Sequence, residues 1–246
     1  MRMISSLNSE ATHLLDDSPI KQFTDSPMII ALAIAAILAF LFYASYSIKS
    51  QVYVRALCRV KTTEKVVYLT FDDGPDAEQT PQVLDVLKRN NATATFFCIG
   101  CRIAGNEALL KRMADEGHQI GIHSFSHANG FPLFSRRRMI ADIEQCQKAI
   151  ESAIGTASTL FRPPFGVTNP TIGKAAKSLN LKTIGWTIRT YDTNGANNAK
   201  IARRISRQLR PGAIILLHDR LPQSAERLQM VIEAVKVAGY EIVGGL

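Results

Sequence analysis

Residues 66–76 read VVYLTFDDGPD. Five of the first six are apolar or aromatic, a short β-rich run, and two carboxylates stand side by side where it stops. Gly74-Pro75 then punctuates a turn, because Asp and Gly both tolerate a turn backbone. Asp72 and Asp73 therefore either mark that turn or form the working end of a site. The test is whether polar side chains from other strands arrive at the same level.

From Val66 onward, β-rich runs alternate with segments of helical period. Strands are expected at 66–71, 93–98, 119–122, 159–161, 182–186, 213–217 and 241–243. Helices are expected at 80–90, 106–116, 136–154, 171–179, 199–209 and 224–238. Pro81 suits the opening of the first helix, and Gly117 and Gly239 suit the close of the second and last. This alternation argues an α/β fold with a parallel sheet, closed or nearly closed into a barrel. In such folds chemistry gathers on the loops at the carboxyl ends of the strands.

The polar residues obey that rule. Asp72 and Asp73 end the first strand, His123 and His127 of HSFSH follow the third, and Arg162 of FRPPFG follows the fourth. Asp192 lies just past the fifth and His218 ends the sixth. Each motif alone has a bland explanation: a turn, two unrelated histidines, a rigid loop, a satisfied core imidazole. Together they are hard to dismiss, because three of the five histidines sit at strand ends. The others are His13 in the N-terminal tail and His118 at the start of a strand.

Chemistry suggests how they divide the work. His123, His127 and Asp73 suit one divalent ion, Zn²⁺ first and Co²⁺ or Ni²⁺ as alternatives, with coordination positions left for water and substrate. Such an ion polarises a carbonyl and brings the pKa of its water toward ~7. Asp72 is then free to act as general base and His218 as the acid that protonates a departing amine. Arg162 would orient Asp72, and Asp192 would steady protonated His218. Backbone amides after Pro164 are candidates to join in stabilising an oxyanion. The reaction class is metal-assisted amide or ester hydrolysis.

TFDDG, HSFSH, FRPPFG, a Trp186…Asp192 segment and LLH, in this order, resemble the polysaccharide deacetylases, the chitooligosaccharide deacetylase homology domain of carbohydrate esterase family 4. The resemblance runs from about Val66 to the C-terminus. It implies a distorted (β/α) barrel of about seven parallel strands, a divalent metal, and removal of N-acetyl, sometimes O-acetyl, groups from sugars. It also implies Phe165 at the groove wall and Leu216 against the acetyl methyl; Trp186 and Arg189 are further expected substrate contacts. The chain departs from the family pattern at two positions, where Arg189 replaces an Asp and Thr193 replaces a Trp. The lost aromatic removes a sugar-stacking wall, and the added Arg favours an anionic or phosphate-bearing glycan or a lipid-linked sugar. A catalytically silent carbohydrate-binding relative is the rival from another class, but no ligand or acid–base residue is missing.

Residues 28–48, MIIALAIAAILAFLFYASYSI, form an uncharged run long enough to cross a bilayer. Twenty-seven residues with four acids precede it, which argues a retained anchor over a signal peptide. The organisation expected is a polar tail at 1–27, an anchor at 28–48, a basic connector at 49–64 and a catalytic domain at 65–246. Lys49, Arg55, Arg59, Lys61 and Lys65 follow the span, a bias that favours a cytoplasmic domain. The family resemblance implies envelope polysaccharide outside the membrane, and we expect the domain on that outer side. The net charge of +8 comes with no zinc-finger or base-stacking pattern, so nucleic acid is not an expected partner. Cys98 and Cys101 form a CxxC without a second pair, which is expected to be structural.

Overall fold

The computed structural model describes residues 27–195 and 197–246. The expected polar tail lies outside the described residues, except for Pro27. The chain divides into two compact units, residues 1–43 and 44–246. The described part of the first is helical, within α1 (Pro27–Tyr46), a 20-residue helix without a charged side chain. At 1.5 Å per residue it is about 30 Å long, the thickness of a hydrocarbon core. Large apolar side chains stand exposed along it, including Leu32, Ile37 and Phe42. It is long and apolar enough to cross a membrane.

In the second unit β1 (Val66–Asp72), β2 (Ala94–Cys98), β3 (Gln119–Ile122), β4 (Leu160–Phe161) and β5 (Lys182–Thr183) alternate with helices. β6 (Ile188–Arg189), β7 (Ala213–His218) and β8 (Glu241–Ile242) complete the sheet. Its order is β5-β4-β3-β2-β1-β7-β6, with β8 against the start of β1, and every strand pairing is parallel. The result is a half-barrel of seven parallel strands, the expected distorted barrel, open between β5 and β6. Residues of the basic segment reach into that opening: Leu57 bridges to Ile184 and Arg59 to Ala213.

The helices are α2 (Gln79–Arg89), α3 (Glu107–Asp115), α4 (Arg136–Ile154), α5 (Pro170–Ser178), α6 (Asn198–Gln208) and α7 (Ser224–Val237). Neighbours pack in series around the sheet, α3 on α4 and α4 on α5, with α2 and α6 both against α7. Pro81 is the third residue of α2, not the first as expected; Gln79 and Thr80 precede it in the helix. Gly117 and Gly239 do follow α3 and α7, at φ values of +80° and +75°. Strands and helices otherwise lie within a few residues of expectation. The exception is β6, which is two residues long and was hidden inside the TIRTY run; a strand that short carries no periodic signal.

Period-two alternation sorts the strand residues. Val67, Leu69 and Phe71 of β1 and Ala213, Ile215 and Leu217 of β7 pack under the helices. Phe97, Leu160, Ile184 and Ile214 fill the barrel interior instead, with Leu57 and Tyr68 packed against them. Both faces are covered, which is why these strands read as continuous apolar runs. Asp72 sits two residues after Thr70 and therefore projects to the interior side, at the carboxyl end.

Candidate active site

Strand register sets the level of the site. Asp72 on β1 pairs with His218 on β7, so these two residues leave the sheet side by side. Ile122 on β3 pairs with Phe161 on β4, so the next residues, His123 and Arg162, also share a level. The two clamp each other: Arg162 N–H donates to Ile122 O at 2.9 Å, and His123 Nδ1 lies 2.7 Å from Arg162 O. A carbonyl can only accept, so Nδ1 of His123 carries a proton there, and Nε2 is the nitrogen turned toward Asp73.

Asp72 and Asp73 diverge because the backbone turns between them. Asp72 ends the strand, while Asp73 has a φ of +75°, the left-handed region. The pair is a turn and part of a site at once. Asp73 Oδ1 lies 3.5 Å from His123 Nε2 and 3.3 Å from His127 Nε2. One donor atom from each of the three residues lies within 4.8 Å of the others. Two imidazoles and one carboxylate converging this closely fit a divalent ion of the zinc type. Burial pushes His127 down to about 4, helped by the charge of His123, so the ring is neutral and able to ligate at neutral pH. Burial opposes ionisation of Asp73, but the hydrogen bond and charge from His123, with His218 and His127, hold it well below the usual carboxylate range.

Arg162 is completely buried. Its Nη1 donates to Asp72 Oδ1 at 2.6 Å and Thr70 Oγ1 at 2.9 Å, Nη2 to Gly185 O at 2.8 Å, and Nε to Ile184 O at 3.1 Å. The guanidinium also lies over the Phe97 ring, 4.2 Å from its centroid. Burial lowers its affinity for a proton, and the adjacent Asp72 charge works the other way. Asp192 grips His218 twice, accepting from its backbone N–H at 2.9 Å and lying 2.8 Å from Nδ1. That contact leaves Nε2 to face the cavity. Burial lowers the His218 pKa, yet the hydrogen bond and charge of Asp192 outweigh it and the net direction is upward.

These groups line one cavity of about 210 Å³. Asp72, Asp73, His123, His127, His218 and Arg220 form its polar lining and Leu216 an apolar part of it, while Arg162 and Asp192 stand behind them. Phe165, Trp186, Arg189 and Thr193 also reach it. Phe165 is 42 % exposed and its ring lies 4.8 Å from that of His127. Gly166, at φ +68°, sits so close under Trp186 that a Cβ there would lie 2.1 Å from the indole. The Gly166 and Val167 amides close onto Pro163 O and Pro164 O, so these two are committed to the turn and not to an oxyanion.

The polysaccharide deacetylase family matches residues 59–184, more than half of the chain. The chain belongs to that family. A peptidoglycan-N-acetylglucosamine deacetylase of Listeria monocytogenes is 36% identical over 194 residues, covering 79% of this chain and 41% of that protein. This chain thus spans about two fifths of that relative's length. A peptidoglycan-N-acetylmuramic acid deacetylase of Bacillus subtilis is 37% identical over 183 residues, 73% of this chain and 69% of that one. Among solved structures, a carbohydrate esterase family 4 pseudoenzyme from Bacillus anthracis superposes with a TM-score of 0.71 at 28% identity, covering 77% of this chain and 67% of that one. A mutant of it with restored enzymatic activity gives the same TM-score. Within this family, then, the backbone does not separate active from silent members, and the side chains at the site have to.

Two residues that contact the site were not expected from the sequence. Arg220 donates from Nε to Asp73 Oδ2 at 3.0 Å, the oxygen turned away from the two histidines. Asp219 is fully buried, accepts from the Thr80 hydroxyl at 2.6 Å, and is pushed up to about 7 by burial. It packs under the Asp73 turn so tightly that a Cβ on Gly74 would meet its carboxylate at 2.2 Å. The signal for both was the run His218-Asp219-Arg220, read only for its histidine. His118 is a core residue, its Nδ1 accepting from Ala94 N–H at 3.2 Å. All four cysteines are free thiols, and Cys98 is buried while Cys101 is exposed.

Proposed function

We propose that the protein is a metal-dependent hydrolase that removes N-acetyl groups, and by the same chemistry O-acetyl groups, from an amino-sugar glycan. The observation that carries this is one cavity in which Arg162-bound Asp72 and Asp192-bound His218 flank the converging Asp73, His123 and His127. Both named relatives are peptidoglycan deacetylases, which supports peptidoglycan as the substrate class.

Asp73, His123 and His127 would hold the ion, whose contribution when bound is to polarise the acyl oxygen and acidify water. Asp72 takes the proton of the attacking water, kept in position by the buried guanidinium. As the C–N bond breaks, protonated His218 delivers its proton from Nε2 to the departing nitrogen, giving acetate and a free amine. Leu216 offers an apolar wall for the acetyl methyl. Arg220 is a positioning residue that holds Asp73 by its second oxygen. Stripping the full chain with a chelator is expected to abolish acetate release from N-acetylglucosamine oligomers, and Zn²⁺ or Co²⁺ to restore it. Full activity of the stripped protein would overturn the metal-dependent reading.

His218 must be protonated to act, so activity falls as pH rises through its pKa. Asp192 is what lifts that value against burial. Asp192→Asn is therefore expected to move the alkaline limb of the kcat–pH profile to lower pH. An unmoved limb would show that another group sets it.

The apolar helix supports a single-pass anchor, with the deacetylase unit on the outer face where peptidoglycan lies. A C-terminal reporter that is active only outside the cytoplasm is expected to be active. One that works only in the cytoplasm would favour a second reading, deacylation of a membrane glycolipid or lipid-linked sugar precursor.

A further inference from the structure

A second cavity adjoins the catalytic one, with a volume of about 290 Å³. Trp186 and Arg189 line both, so a ligand can occupy the two together. Lys49, Arg189 and Arg204 bring three cations to the second cavity, and no carboxylate lines it. None of the three is within ion-pair distance of a carboxylate among the described residues. Each has a contact that holds it. Lys49 Nζ donates to Thr187 O at 2.7 Å, and the guanidiniums of Arg189 and Arg204 both lie over the Tyr191 ring, 5.1 Å and 4.5 Å from its centroid. Arg189 Nε is buried with no hydrogen-bond partner, a costly state for a charged donor unless a ligand supplies the acceptor.

Held cations without counter-charges call for an anion, and the number of them selects which one. A single carboxylate is satisfied by one guanidinium fork, whereas phosphate offers more acceptor oxygens and up to two charges to three cations. Arg203 and Arg207 of α6 are exposed and do not line this cavity; with Arg204 they border a separate one on the same helix. The cavity lining starts at Tyr46, the last residue of the apolar helix α1.

We infer that this cavity is a phosphate subsite, which holds the phosphate of an amino-sugar phosphate while the acetamido group of the same molecule occupies the catalytic cavity. The inference rests on the deacetylase reading and, within it, selects a sugar phosphate over peptidoglycan as the substrate. The test is equilibrium binding of N-acetylglucosamine 1-phosphate and of N-acetylglucosamine to the full chain in detergent, stripped of metal so that phosphate has no ion to ligate. The phosphate is expected to tighten binding roughly tenfold or more. Lys49→Gln with Arg204→Gln, neither residue lining the catalytic cavity, is expected to remove that gain. In the metal-loaded enzyme the same pair is expected to raise KM for the sugar phosphate about tenfold, and to leave kcat/KM for a neutral oligomer within about twofold.

Equal binding of the two ligands, or a gain that survives the double variant, would overturn the inference. So would a larger gain for muramic acid, whose carboxylate would then be the anion recognised. Vesicles of phosphatidylglycerol supply phosphate from a bilayer lipid, and are expected not to displace the sugar phosphate. Displacement by them, lost in the double variant, would assign the cavity to lipid headgroups instead. Absence of acetate release from either sugar, with the binding preference intact, would sink the deacetylase reading and leave the subsite standing.

Discussion

Asp72→Asn is expected to keep metal and substrate and to lose about 10²–10⁴-fold in kcat, the usual contribution of a general base. Asparagine matches the shape of aspartate and still offers an oxygen to Arg162, but it cannot take a proton. Thr70, Ile184 and Gly185 continue to hold the guanidinium. KM and metal stoichiometry are therefore expected to change little, and measuring all three separates lost chemistry from a collapsed site. Activity within about tenfold of wild type, with metal still bound, would remove Asp72 from the base role.

Arg162→Met is expected to cost stability as well as activity. The guanidinium is completely buried and neutralises Asp72 at 2.6 Å. Methionine fills some of the space but leaves a buried carboxylate unpaired, and the Ile184 and Gly185 carbonyls lose their donors. Breaking a buried pair from one side typically costs about 3–5 kcal/mol. That is a large part of a domain's total stability, so the urea midpoint is expected to fall sharply at neutral pH. Removing both charges in Arg162→Met with Asp72→Leu is expected to recover most of the loss, because no unpaired ion remains. A single variant as stable as wild type would mean that water reaches Asp72 and Arg162 merely orients it.

Much of this was legible in the sequence because sheet geometry turns linear position into spatial level. Each carboxyl-terminal strand residue could be placed at the site end from the alternation of runs alone. Asp72 with His218, and His123 with Arg162, follow from parallel registers that bring neighbouring strands to the same level. Less legible were features that depend on exact chain path. β6 is too short to show a period, and the use of Leu57 and Arg59 in the barrel opening has no local pattern at all. Arg220 reaches Asp73 across 147 positions of sequence, a contact that only the tertiary fold creates. The same is true of the cation cavity. Arg189 stood out by its difference from the family pattern, but its convergence with Lys49 and Arg204 joins a segment before β1 to β6 and α6.

Product analysis decides whether this polysaccharide deacetylase is an active hydrolase, as proposed, or a silent relative on the same backbone. The most direct measurement is product analysis of peptidoglycan fragments incubated with the Zn²⁺-loaded full chain, counting acetate and free amino sugar together. One acetate is expected for each new amine, with both lost in Asp72→Asn. A folded, metal-loaded protein that releases neither, from peptidoglycan and from amino-sugar phosphate alike, would contradict it.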